Sequence, residues 1–177
     1  MPNVLVSIGS NIDRIQHITA ALDALSDAFG ALRLSSVYES EAVGFDGDPF
    51  YNLVAAFETP WSVAALSVFL REIEYANGRC RDDARFSART LDIDILTWGD
   101  AVGVVDGVLL PREEILKNAF VLQPLAELMP EALHPVTGKS YSMLWNAYDK
   151  KTQKLWKVDF CWNGQLIGTA SGIKQHG

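Results

Sequence analysis

Residues 89–98 read Arg89-Thr-Leu-Asp-Ile-Asp-Ile-Leu-Thr-Trp98, and from Leu91 onward apolar and acidic side chains alternate. A period of two is the mark of a β-strand, here over residues 91–98. Leu91, Ile93 and Ile95 then turn toward a core. Asp92 and Asp94 share the opposite face as i, i+2 neighbours, roughly 6.5–7 Å apart. Ahead of this strand, Val63, Leu66, Leu70 and Ile73 repeat at helical spacing, giving a helix that ends near Asn77-Gly78. Residues 50–59 form the strand before that helix, preceded by the polar, glycine-rich loop Gly44-Phe-Asp-Gly-Asp-Pro49, a candidate mobile element. Residues 32–42 read as another strand. At the start of the chain, residues 3–9 alternate with Val4, Val6 and Ile8 on one side and end at the turn signal Gly9-Ser-Asn11. Ile15, Ile18, Leu22, Leu25 and Phe29 then form the apolar stripe of a helix that Gly30 stops.

The order β-α-β-β-α-β is that of a ferredoxin-like α+β core, an antiparallel sheet with helices on one face and the other face free to carry a site. Beyond it, residues 102–110 are expected to add a strand, residues 120–129 a short helix and residues 154–168 a hairpin turning at Asn163-Gly164. The chain of 177 residues, 49% apolar, suits one compact unit. Its expected parts are a catalytic domain over residues 1–140 and a C-terminal extension over 141–177, a helix and β-hairpin packed on the same domain. A monomer or weak homodimer is expected.

A net charge of −7 argues against a protein that coats nucleic acid or an anionic membrane, since both demand a broad basic face. Cys80 and Cys161 form no Cys-x-x-Cys, and His17, His134 and His176 have no zinc-ligand spacing. Free thiols fit a reducing cytoplasm. The first residues lack a basic segment followed by an apolar one, so neither secretion nor membrane insertion is expected.

Two carboxylates side by side repel, and magnesium relieves this well because it takes one or two carboxylates and fills its octahedron with water and phosphate oxygens. A solvated strand edge would show the same two acids. The preceding segment adds Arg79, Arg81, Arg85 and Arg89, a concentration in a chain with only 15 basic residues. Guanidinium groups bind phosphate oxygens through paired, charge-assisted hydrogen bonds, so arginines beside an acid pair form equipment for phosphoryl transfer. The same arginines would also form an ordinary basic loop paired with Asp82 and Asp83.

Together with Gly9-Ser-Asn11, Phe50-Tyr-Asn-Leu-Val54 and Phe120-Val-Leu-Gln-Pro-Leu-Ala-Glu-Leu128, the Arg89–Leu96 stretch resembles 6-hydroxymethyl-7,8-dihydropterin pyrophosphokinase over residues 3–138. That folate-pathway family passes pyrophosphate from ATP to a pterin alcohol and releases AMP. The resemblance implies that Asp92 and Asp94 hold two magnesium ions bridging the ATP phosphates, with Asp94 also orienting or deprotonating the attacking hydroxyl. Arg79, Arg89, Arg81 and Arg85 match positions on or over the triphosphate, and Glu74 a position near the nucleotide. Phe50 and Phe120 match the aromatics that sandwich the pterin, Asn52 reads the ring's edge, backbone near Ser40 and Val43 completes that recognition, and Phe86 matches an aromatic lid.

The chain departs from the family's pattern at Pro111-Arg112-Glu113, where a histidine is usual, and at Asn118-Ala119, where an arginine precedes the aromatic. Arg112 can bind phosphate in the histidine's place. These changes motivate a second reading, a diverged pterin- or nucleotide-binding relative with little turnover. A third reading, a single-strand RNA reader displaying Phe50 and Tyr51 on its sheet, is opposed by the chain's acidity.

Overall fold

The computed structural model describes residues 1–41, 49–78, 91–151 and 153–168. Val43, Arg79, Arg81, Arg85, Phe86 and Arg89, with Cys80 and most of the 44–49 loop, lie outside the described residues.

The elements run β1 (Asn3–Ser10), α1 (Arg14–Phe29), β2 (Arg33–Leu34), β3 (Val37–Ser40), β4 (Phe50–Glu58), α2 (Val63–Ala76), β5 (Asp92–Trp98), β6 (Gly103–Val105) and β7 (Val108–Leu110). The chain continues through α3 (Glu114–Lys117), α4 (Ala119–Leu128), α5 (Tyr141–Ala147), β8 (Leu155–Val158), β9 (Cys161–Trp162) and β10 (Gln165–Leu166). The main sheet has the order β5-β1-β4-β3-β8, with β2 also paired to β4, and the pairings along it are antiparallel. This is the ferredoxin-like α+β fold expected of the element order.

Alternation along the strands divides two cores. Val4, Val6 and Ile8 of β1, Leu53, Ala55 and Phe57 of β4, and Ile93 and Ile95 of β5 pack with Ile18, Leu22 and Leu25 of α1 and with Val63, Leu66 and Leu70 of α2. Ile15, placed on that stripe by its spacing, is 63% exposed instead, because it sits in the first turn of α1, beyond the cover of the sheet. The opposite parity, Leu5, Val54, Ala56 and Leu96, packs against Val121, Leu122 and Leu125 of α4 and Tyr141 of α5. Among the described residues, the helices on this second face therefore leave its Ser10–Tyr51–Asp92 end uncovered.

Three local expectations change. Residues 32–42 break into β2 and β3, because the Ser35 hydroxyl accepts from the Val54 amide at 2.9 Å and so takes a ladder position with a side chain. Residues 102–110 fold back on themselves as the β6–β7 hairpin, apart from the main sheet. The turn at Asn163-Gly164 is present, both residues having positive φ, and joins β9 to β10. β8, however, leaves that hairpin and pairs with β3, so the extension enlarges the main sheet.

Candidate active site

Asp92 and Asp94 open β5 on the face shared with Leu96, at the end that α4 leaves uncovered. The register sets Gly9 opposite Asp92 on one side and opposite Asn52 on the other, with Tyr38 beyond, and sets Ser7 opposite Asp94. A polar row thus crosses four strands. Asn52 is nearly buried and donates through Nδ2 to Ser40 Oγ at 3.3 Å, next to Phe50, which is half-buried and paired with Ser40. Gly9 is needed for close approach: a Cβ there would stand 2.7 Å from Asn52 Oδ1. Phe120, the second residue of α4, is half-buried beside the second core.

Arg112 enters this edge from the turn after β7, its backbone N–H held by Leu96 O at 2.9 Å. Its Nη2 lies 3.7 Å from Asp94 Oδ1, and its Nε pairs with Glu114. Glu74 is fully buried rather than facing the open site. Its Oε2 accepts the Ile93 amide at 2.8 Å, outside the β1 ladder, and its Oε1 accepts from Arg71 Nη1 at 2.6 Å. Glu74 therefore grips the residue that separates the two aspartates. Burial opposes the Arg71 charge, but the hydrogen bond it donates to Glu74 and the charges of Glu74 and Asp94 outweigh it and raise the Arg71 pKa.

Arg71 was not singled out in the sequence, although Arg71-x-x-Glu74 is an i, i+3 pair on one helix face and was readable as such. Glu127 was missed too. Its carboxylate accepts from Ser36 N at 3.1 Å, Ser36 Oγ at 2.7 Å and Tyr38 Oη at 2.8 Å, clamping the end of α4 onto β3. Burial, then the Glu127 charge and hydrogen bond, hold the Tyr38 phenol far above its usual range. No signal in the local pattern marks a contact across 91 positions.

No third histidine, cysteine or acid joins the aspartate pair as a metal cluster among the described residues. Two carboxylates on one strand face suit a hard ion that draws its other ligands from phosphate and water, and do not suit a closed zinc cage. A separate groove of about 750 Å³, lined by Phe29, Arg33, Phe57 and Trp61, lies at the far end of the sheet and contains neither aspartate.

A family model described as 7,8-dihydro-6-hydroxymethylpterin-pyrophosphokinase matches residues 5–130. The chain belongs to this family. A 2-amino-4-hydroxy-6-hydroxymethyldihydropteridine pyrophosphokinase of Pseudomonas aeruginosa is 37% identical over 136 residues, covering 75% of this chain and 83% of that protein. The protein of the same description from Aquifex aeolicus is 32% identical over 141 residues, covering 78% and 88%. The folic acid synthesis protein fol1 of Pneumocystis carinii is 33% identical over 140 residues, but the match spans only 19% of its length. Among solved structures, wild-type HPPK-DHPS of Plasmodium falciparum with SDX-DHP superposes with a TM-score of 0.65 at 15% identity, over 84% of this chain and 44% of that one. The last likeness supports the fold alone.

Proposed function

We propose that this family member transfers pyrophosphate from ATP to the hydroxymethyl group of 6-hydroxymethyl-7,8-dihydropterin, releasing AMP, as a step of folate biosynthesis. The observation that carries the reading is the pair Asp92 and Asp94 on one face of β5, with Asp92 in the cross-strand row of Gly9 and Asn52, whose carboxamide donates to Ser40. Phe50 and Phe120 are assigned to the flat faces of the pterin, where offset stacking holds a planar ring. The Asn52 carboxamide and backbone near Ser40 and Val43 read its edge.

Asp92 and Asp94 would hold magnesium, two ions by likeness to the family, which when bound neutralises phosphate charge and aligns the triphosphate. The pterin oxygen attacks the β-phosphorus, the bond from that phosphorus to the oxygen it shares with the α-phosphorus breaks, and AMP leaves with that oxygen. Asp94 orients the hydroxyl and takes up its proton. Arg79, Arg81, Arg85, Arg89 and Arg112 are assigned to the triphosphate, and Phe86 to an aromatic lid on the substrate side. Glu74 acts through Ile93, keeping the aspartates in register. The free, exposed thiol of Cys161 agrees with a reducing, cytoplasmic setting, and a monomer or weak homodimer suffices for a site built from one chain.

The test is AMP release from ATP and the pterin alcohol, with and without magnesium. Release should require the metal, and Asp94→Ala should lower kcat by at least about a hundredfold through lost electrostatic stabilisation. Pterin and ATP binding without AMP release would instead support the diverged, binding-only relative, a reading favoured by the Arg112–Asp94 contact that places a cation beside a metal carboxylate.

A further inference from the structure

Two backbone junctions lead into the aromatics assigned to the pterin, and both are tied to one short stretch of the C-terminal extension, beyond the family match that ends at residue 130. The first junction is Ala119, whose N–H opens α4 immediately before Phe120. Asn118, at the cap position, provides no side-chain cap. The Ala119 N–H donates instead to Gln153 Oε1 at 2.7 Å. Gln153 Nε2 donates to Lys117 O at 3.2 Å and approaches Asn118 Oδ1 at 3.4 Å, so one carboxamide engages three successive residues. Tyr148 Oη donates to the same Lys117 carbonyl at 2.6 Å.

The second junction is Pro49, immediately before Phe50. Its carbonyl accepts from Arg14 Nη1 at 2.9 Å. The same guanidinium donates to Glu39 Oε2 at 2.6 Å and lies over the Tyr51 ring, 3.9 Å from its centroid. Glu39 Oε1 accepts from Trp156 Nε1 at 2.8 Å, and Trp156 faces Glu39 in the β3–β8 register. Trp156 is 44% exposed, so its indole adds modestly to burial and its N–H is the specific contribution.

We infer that residues Gln153 and Trp156 are positioning residues for the pterin site: Gln153 fixes the backbone from which Phe120 projects, and Trp156, through Glu39 and Arg14, fixes the backbone from which Phe50 projects. The inference rests on the assignment of Phe50 and Phe120 to the pterin. Two walls that sandwich a ring must keep their separation, and side chains three residues apart on one segment couple the two walls to each other. An aromatic displaced by a fraction of its contact distance loses stacking while leaving the triphosphate side, on β5 and Arg112, in place.

The test uses the full chain with Trp156→Phe, which keeps a ring on β8 but removes the N–H, Gln153→Leu, which removes donor and acceptor, and Gln153→Glu, which keeps the acceptor for Ala119. Affinity for the pterin alcohol is read by its fluorescence with magnesium and a non-hydrolysable ATP analogue present, KM for ATP and kcat by AMP release, and folding by the thermal midpoint. Trp156→Phe and Gln153→Leu should each weaken pterin affinity about fivefold, the worth of a hydrogen bond, with KM for ATP within about twofold and Gln153→Glu, which keeps the acceptor for Ala119 but loses the donor to Lys117 O, recovering only part of the loss. Unchanged pterin affinity overturns the inference, whatever the midpoint does. So does parallel weakening of pterin and ATP that tracks a falling midpoint. A wild-type protein that binds the pterin but releases no AMP defeats the proposed transfer, while the affinity ratios still decide the brace. A wild-type protein that binds no pterin defeats both.

Discussion

Gly9 shows how one missing atom shapes the site. Its role is spatial: Asn52 Oδ1 occupies the volume a Cβ would need. In Gly9→Ala the carboxamide must swing away while the strands stay paired, so the protein should fold, with KM for the pterin raised about fivefold or more for a lost recognition bond and KM for ATP little changed; steady-state kinetics with each substrate varied would check this. Glu74 is the opposite case, a buried charge with fixed partners. Glu74→Ala orphans the Ile93 amide, a cost of about 2 kcal/mol in urea unfolding, and frees the segment between the aspartates. At this scale the acid pair and Asn52 were legible because a strand's period of two assigns faces directly. The burial of Glu74 was not, because its partner amide lies 19 positions away on another element.

Among elements, α2 carries both its signals locally. Ser62 caps it by accepting from Ala65 N at 3.1 Å, and the apolar spacing sets its buried stripe. The β6–β7 hairpin adds a second cap, Asp106 Oδ2 accepting from Ala64 N at 3.0 Å. With Asp106 still in place, Ser62→Ala should cost about 1 kcal/mol in the same urea unfolding measurement. The split between β2 and β3 was hidden because Leu32, Leu34 and Tyr38 keep the strand's alternation through it, whereas the interruption is made by a hydroxyl, that of Ser35, reaching a neighbouring strand. Likewise the 154–168 segment announces its turn through Asn163-Gly164, but a strand's choice between its hairpin mate and the distant β3 depends on which edge is open in the finished sheet.

For the molecule as a whole, acid should weaken the fold through a group far from the chemistry. His134 is 3% exposed, and its Nδ1 accepts from Val136 N and Thr137 N, each at 3.2 Å. Burial holds its pKa below the ordinary value of 6.5. The unfolded chain therefore takes up a proton in a window just below that value while the folded chain does not. Stability falls as pH drops through this window, and the loss levels off below the folded pKa. The thermal midpoint should decrease from about pH 7.5 to about pH 5.5, and His134→Gln should flatten that slope. Membership of the family and the ferredoxin-like core were both readable from ordered motifs, since each motif is local; the way the extension closes over the core was not, since Gln153 and Trp156 mean nothing until Ala119 and Glu39 are beside them.

Among the described residues β5 is also the outermost strand on its side of the sheet, a position that in general invites a strand from another molecule. Asp92 and Asp94 put negative charge along that border, and Glu74 takes up the Ile93 amide that an intruding strand would seek. The two residues proposed to hold a cation thus also make the border unattractive to another copy of the chain, and replacing both by apolar residues should leave a protein prone to aggregate as well as inactive.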